Sequence, residues 1–151
     1  MGEATSAECV ALRFGDGEIL RADGLRLQAW YTPGHTDDSY SLVMRDRVFT
    51  GDTLLIRGTG RTDFQNGDPG AQYDSLFGRL LKLADETLVY PGRAGGQQRE
   101  TSIARERGSN AELQPGMSRR RFIARKRLQA TPAESWPQHT LAANRRCQPF
   151  D

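Results

Sequence analysis

Residues 32–52, TPGHTDDSYSLVMRDRVFTGD, decide the architecture, because they read as one β-hairpin with a potential metal ligand at each end. Ser39 to Met44 mixes β-formers with polar residues, Asp46 and Arg47 supply a short polar break, and Val48-Phe49-Thr50 resumes the strand pattern. A strand going out and a strand coming back return the chain to the edge it left. His35, just before the first strand, and Asp52, just after the second, are therefore expected to meet at one end of the sheet. Imidazole and carboxylate at the end of a rigid hairpin suit a first-row transition metal, and Gly34 and Gly51 let the backbone turn tightly beside the ion. Taken singly, TPGHT also fits a Pro-Gly turn and TGD a strand exit with an Asx-type contact.

Working outward, the next segment is DTLLIRGTGRTDFQ, residues 52–65. The run TPGHT followed by TGDTLLIRGTGRTDFQNGD resembles the persulfide dioxygenase (sulfur dioxygenase) branch of the metallo-β-lactamase superfamily. Its members are mononuclear non-haem iron enzymes that oxidise glutathione persulfide to sulfite and glutathione. RGxGRTDFQ separates this branch from glyoxalase II, the thioester hydrolase of the superfamily, whereas TGD is shared with the hydrolases. Tyr73 to Leu83, Thr87 to Gly92, Thr101-Ser102-Ile103 and Ala143 to Cys147 extend the resemblance, which is tight over 32–65 and loose after Gly92. The fold it implies is of the α/β (α+β) class: the C-terminal portion of an αββα sandwich, a mixed or antiparallel sheet with flanking helices. Residues 1–115 would form a partial domain of this kind, and 116–151 a C-terminal helix and basic irregular tail packing on it.

Carried over by position, the resemblance makes His35 and Asp52 two members of a 2-His-1-carboxylate Fe(II) triad, with zinc the less favoured metal. Such a triad leaves positions open for substrate and O₂, which a closed structural zinc site lacks. Arg57, Arg61 and Thr36 fall on the substrate side. The two guanidinium groups would grip the glutathione end of a persulfide or related thiol in a bidentate fork, and Thr36 would also support the neighbouring ligand through an outer hydrogen bond. Gly34, Gly51 and Asp63 are structural neighbours of the site, and a pair between Arg61 and Asp63 is the competing role for that arginine.

The chain also departs from the family. No histidine precedes His35, so the HxHxDH signature that supplies the first iron histidine is missing, together with the N-terminal half of the usual sandwich. Two ligands fix a coordination sphere poorly, so weak metal binding and impaired or absent turnover are expected of the chain as it stands. Arg93, in Tyr90-Pro91-Gly92-Arg93, replaces a histidine that serves the second metal in dinuclear hydrolases; a guanidinium cannot coordinate, which argues against a two-zinc enzyme. Ala94-Gly95-Gly96 replaces residues that line the substrate side in relatives. His139 lies in a Pro-containing tail and reads as a surface residue. Alternative readings are a glyoxalase II-like thioester hydrolase and a non-catalytic glutathione-binding remnant, with a homodimer or a complementing chain covering the bare sheet face.

Composition bounds the rest. A length of 151 residues is enough for one domain with a modest core, although 36% hydrophobic residues and a mean hydropathy of −0.67 are lean. No stretch approaches the ~20 apolar residues that span a membrane. Cys9 and Cys147 lie at opposite ends without CxxC spacing, and with no signal peptide they suit a reducing cytoplasm. Residues 1–91 carry 9 basic and 14 acidic side chains, residues 92–151 carry 12 and 5, so the two parts attract. Arg119-Arg120-Arg121 and Arg125-Lys126-Arg127 have only Phe122 between them as an aromatic, too sparse for a nucleic-acid surface. On a helix begun by Ser118, Phe122, Ile123 and Lys126 instead share one side for packing.

Strands are expected over Glu18 to Ala22 and Leu25 to Tyr31 around an Asp23-Gly24 turn, over 39–44 and 47–50, and over Thr87 to Tyr90. Residues 57–71 read as a Gly-rich loop beside the site. Helices are expected over Tyr73 to Leu83, with Asp68 or Asp74 near the start, over Thr101 to Arg107 ended by Gly108, and over Ser118 to Gln129; Thr131 to Asp151 reads as irregular.

Overall fold

The computed structural model describes residues 1–3, 5, 10, 12–64, 66–93 and 98–130; Cys9, Gln65, Ala94 to Gly96, His139 and Cys147 lie outside the described residues. Six strands form one mixed sheet: β1 (Ile19–Ala22), β2 (Leu25–Tyr31), β3 (Tyr40–Val43), β4 (Arg47–Gly51), β7 (Leu88–Pro91) and β8 (Thr101–Ser102), in that spatial order. A separate hairpin joins β5 (Leu54–Leu55) to β6 (Gly58–Thr59). The Asp23-Gly24 turn between β1 and β2 has positive φ at both residues, 47° and 82°, the pairing that a two-residue hairpin needs to match strand twist. β1 to β4 run antiparallel, and β7 joins β4 in parallel with Val48 opposite Val89 and Gly51 opposite Pro91. That parallel step requires a crossover, and the helical segment 69–82 provides it.

The crossover helix begins earlier and ends sooner than its apolar spacing predicts. α1 (Pro69–Gly78) starts where Asp68 accepts a hydrogen bond from the Ala71 N–H at 2.8 Å, with Pro69 in the first helical position. It stops at Arg79, whose guanidinium donates to the Tyr31 carbonyl and to Asp16 Oδ1, both at 2.8 Å, and Leu80–Lys82 continues as a 3₁₀ turn. Gly78, a poor helix former, marks the break. α2 (Ile103–Ser109) is one step later than expected, because Thr101 and Ser102 pair with β7 and Ser102 caps the helix; Gly108 lies inside it, and Asn110 closes it. The stretch 57–71 is not one loop either: β6 opens it and the first turn of α1 closes it.

Helices cover one face of the sheet. Val48 and Val89 from the strands meet Leu76, Leu80, Leu81, Ile103, Leu113 and Phe122 in a single buried cluster. α3 (Arg119–Leu128), capped by Ser118, packs on α1 through Phe122, whose ring centroid lies 5.7 Å from Tyr73 and 6.4 Å from Phe77. Phe122 and Lys126, one helical turn apart, form the buried stripe, while Ile123 is only half-buried. On the opposite face the strand alternation places Phe49, 38% exposed and 5.4 Å from the Tyr90 ring. Because Phe122 is fully buried, Phe122→Ala is expected to cost about 3–5 kcal/mol in urea or thermal unfolding. Leu128→Ala on the exposed end of the same helix should change stability by less than about 0.5 kcal/mol.

Candidate metal centre

The β3–β4 hairpin returns the chain as its sequence suggests, and the His35 and Asp52 side chains face each other with Nε2 and Oδ2 3.5 Å apart. Both are largely enclosed, at 20% side-chain exposure. His35 sits in a turn closed by the Thr32 N–H donating to the Ser39 carbonyl and by the Gly34 N–H donating to the Thr36 carbonyl. The Thr36 hydroxyl donates to Asp38 Oδ1 and shares a bond with the Ser39 hydroxyl, each at 2.7 Å. Thr36 thus braces the turn that carries His35 through its neighbours in sequence, and no direct bond to the imidazole joins them.

The imidazole is oriented from the other side. Its Nδ1 lies 2.8 Å from the Arg61 carbonyl, which can only accept, so Nδ1 carries the proton and the Nε2 lone pair of the neutral ring points to Asp52. This is the arrangement that a metal-ligating histidine uses. Gly60 makes it possible: a Cβ there would lie 2.0 Å from the Asp52 carbonyl oxygen and 3.1 Å from His35 Cβ, so only glycine lets this loop close over both. Gly34, with φ +136°, is pressed just as tightly onto α1, where its Cβ would meet Gln72 backbone and Cβ atoms at 2.3 Å.

Gln72 is the residue the sequence pattern passed over. Fully buried, it donates from Nε2 to the Gly60 carbonyl at 2.8 Å and packs under Gly34, so α1 locks the two loops that carry the site. Its Oε1 is buried with no hydrogen-bond partner. A polar residue three and four positions before the buried Ser75 and Leu76, on the inward side of an otherwise apolar helix face, was the available signal.

The two arginines do not come together. Arg61 donates from Nε and a terminal nitrogen to the two oxygens of Asp63 at 2.6 and 2.7 Å, so its fork is engaged by its own neighbour. It lines a cavity of about 140 Å³ with Thr59, Glu112 and Lys126. Arg57 stands at the tip of the β5–β6 turn with φ +60°, held there by its N–H donating to Glu106 Oε2 at 2.9 Å. Its side chain lines another cavity, about 440 Å³, with Thr101, Arg105 and Glu106. The expectation that both grip one end of a substrate beside His35 is corrected to this extent: their cavities are separate, and neither lining includes His35 or Asp52. Glu106, 1% exposed, also accepts from Thr101 and Asn110, and no local sequence pattern signals that network.

On chemistry, His35 and Asp52 fit as two ligands of a transition metal: a directed imidazole lone pair and a carboxylate oxygen within reach of one ion. Among the described residues no third His, Cys, Asp or Glu joins them. Asp52 Oδ2 also receives a cation of the chain's own, the Arg93 guanidinium at 2.7 Å.

The hairpin-end pair, the mixed sheet and the covering helices together define the class: the chain belongs to the metallo-β-lactamase superfamily, whose family model matches residues 10–93. Within it, the mitochondrial persulfide dioxygenase ETHE1 of Mus musculus is 36% identical over 104 residues, 68% of this chain and 41% of the relative. The hydroxyacylglutathione hydrolase GloC of Haemophilus influenzae is 35% identical over 100 residues, 65% of this chain and 45% of that protein. The crystal structure of ETHE1 from Myxococcus xanthus superposes with a TM-score of 0.89 at 44% identity, covering 98% of this chain and 65% of the other. The chain therefore spans less than half the length of those two curated relatives. No helix among the described residues is long and apolar enough to cross a membrane.

Proposed function

We propose that this chain carries the iron-binding half of a persulfide-dioxygenase-like site, directed at glutathione persulfide or a related thiol persulfide. The observation that carries the reading is the closure of RGTGRTDFQ over the metal pair: Gly60 packs on Asp52 and His35, and the Arg61 carbonyl orients the imidazole. The similarity to persulfide dioxygenases covers the same residues and supports the same chemistry. His35 Nε2 and Asp52 Oδ2 would hold Fe(II), which when bound supplies a redox centre with coordination positions open to substrate. The chain's own part is to orient the imidazole, to exclude solvent from the pair and to present positive charge around it through Arg93. With two ligands among the described residues, the metal is held weakly and turnover is impaired.

Arg93 weighs against the hydrolase reading that the GloC similarity raises, because a permanent cation on Asp52 opposes a second metal there. The test is anaerobic loading with Fe(II), followed by oxygen-electrode and sulfite measurements with glutathione persulfide. We expect substoichiometric iron that His35→Ala removes, and oxygen uptake that is slow or absent. Rapid uptake abolished by His35→Ala would refute the impairment while keeping the chemistry. Hydrolysis of a glutathione thioester without oxygen consumption would establish the hydrolase instead. A thiol-dependent rise in Tm without either reaction would mark a binding module.

A further inference from the structure

Asp52 Oδ2 is claimed from two sides. His35 Nε2 stands 3.5 Å away and an Arg93 terminal nitrogen 2.7 Å away. The second contact follows from the sheet. β7 lies parallel to β4 with Pro91 opposite Gly51, and the Gly92 N–H donates to the Gly51 carbonyl at 2.7 Å. Gly92 comes so close that a Cβ there would lie 3.0 Å from Asp52 Oδ1, so the residue after it is delivered to the carboxylate. Arg93 is therefore placed by backbone register, while its head remains 65% exposed and has solvent to move into.

We infer that Arg93 is an internal competitor for the metal: its guanidinium neutralises Asp52 when no ion is bound, and a divalent cation at the His35–Asp52 pair has to displace it. The inference rests on the reading of that pair as a metal site. A guanidinium cannot donate a lone pair, so it cannot join the coordination sphere. A positive charge held at the ligand oxygen opposes a dication there, by attraction to the carboxylate and by repulsion of the ion. Exposure makes the displacement affordable and therefore reversible, since solvent-facing ion pairs contribute little in themselves. The site thus sits between two states, with the arginine either on Asp52 or swung into solvent.

The experiment is titration of Co²⁺ alone into the purified chain at fixed ionic strength, read by calorimetry and by d–d absorption. Wild type, Arg93→Gln, Arg93→Lys, Asp52→Asn and Arg93→Gln/Asp52→Asn are compared, with far-ultraviolet circular dichroism confirming the fold of each. Arg93→Gln should bind Co²⁺ about tenfold more tightly than wild type. Arg93→Lys, which keeps the charge, should stay within about threefold of wild type, and the double variant should lose the gain. Unchanged or weaker binding by Arg93→Gln, while Asp52→Asn still weakens wild type, would overturn the competitor role alone. Co²⁺ binding indifferent to Asp52→Asn would overturn the metal-site reading and the competitor role with it.

Discussion

Gly60→Ala is expected to uncouple the metal pair while leaving most of the fold in place. The added Cβ would lie 2.0 Å from the Asp52 carbonyl oxygen and 3.1 Å from its carbon. Those are backbone atoms, so no rotamer change relieves the clash; either the 58–62 loop or the Asp52 peptide has to move. Moving the loop stretches the Gln72–Gly60 bond and shifts the Arg61 carbonyl that fixes the His35 ring. We expect a loss of about 1–3 kcal/mol in stability, the usual range for overpacking. Co²⁺ affinity should fall by about 10–100-fold, the range for disturbing groups that orient metal ligands. Gly58 supplies the control within the same motif: a Cβ there meets open space, so Gly58→Ala should leave metal binding unchanged. Equal effects of the two substitutions would show that packing on Asp52 is not what the motif's glycine provides.

Glu112→Gln should be the most destabilising polar substitution in the molecule. Lys126 is 6% exposed and its Nζ lies 2.9 Å from Glu112 Oε2, 3.2 Å from the Gly60 carbonyl and 3.4 Å from the Thr59 carbonyl. The Thr59 hydroxyl donates to the same Glu112 oxygen. Removing the carboxylate charge leaves a buried ammonium with only neutral acceptors, a change that costs about 3–5 kcal/mol in comparable pairs. Burial already pulls the Lys126 pKa below its ordinary value of 10.5, opposed by the bond to Glu112 and its charge. With that opposition gone, the folded protein sheds the proton at a pH where the unfolded chain still holds it. Stability of the variant therefore rises as pH increases through the lowered folded pKa towards 10.5, and the deficit is largest below it. Chemical denaturation of wild type and variant across neutral to alkaline pH measures both the size and the slope. A pH-independent deficit would refute the buried-charge explanation. Because Lys126 grips the carbonyls of residues 59 and 60, the same variant should loosen the loop over the metal pair.

The parts of the site legible in the sequence are those set by short-range geometry. Hairpin alternation brought His35 to Asp52 because a two-stranded antiparallel unit has few ways to return. Turn chemistry placed Asp23-Gly24, and apolar spacing found the helix over residues 73–83 although not its start at Pro69. The reason is local too: Asp68 and Pro69 act through a cap that apolar periodicity does not register. Lys126 was legible as part of a packing side but not as a buried charge, since its partners Glu112, Thr59 and Gly60 come from other segments.

By itself, then, the sequence determined the family, the mixed sheet with flanking helices, and the meeting of imidazole and carboxylate at the end of one hairpin. Only the tertiary structure decided what surrounds that pair. Arg93 reaches Asp52 because β7 runs parallel to β4, a pairing made across a crossover of some 37 residues. Gln72 locks the loops because α1 crosses beneath Gly34 and Gly60, and Arg57 leaves the site because Glu106 holds its turn from α2. Each of these depends on which distant segment the chain packs against. Such contacts have no period and no spacing, so the residues on either side of them carry no sign of the other until the fold has formed.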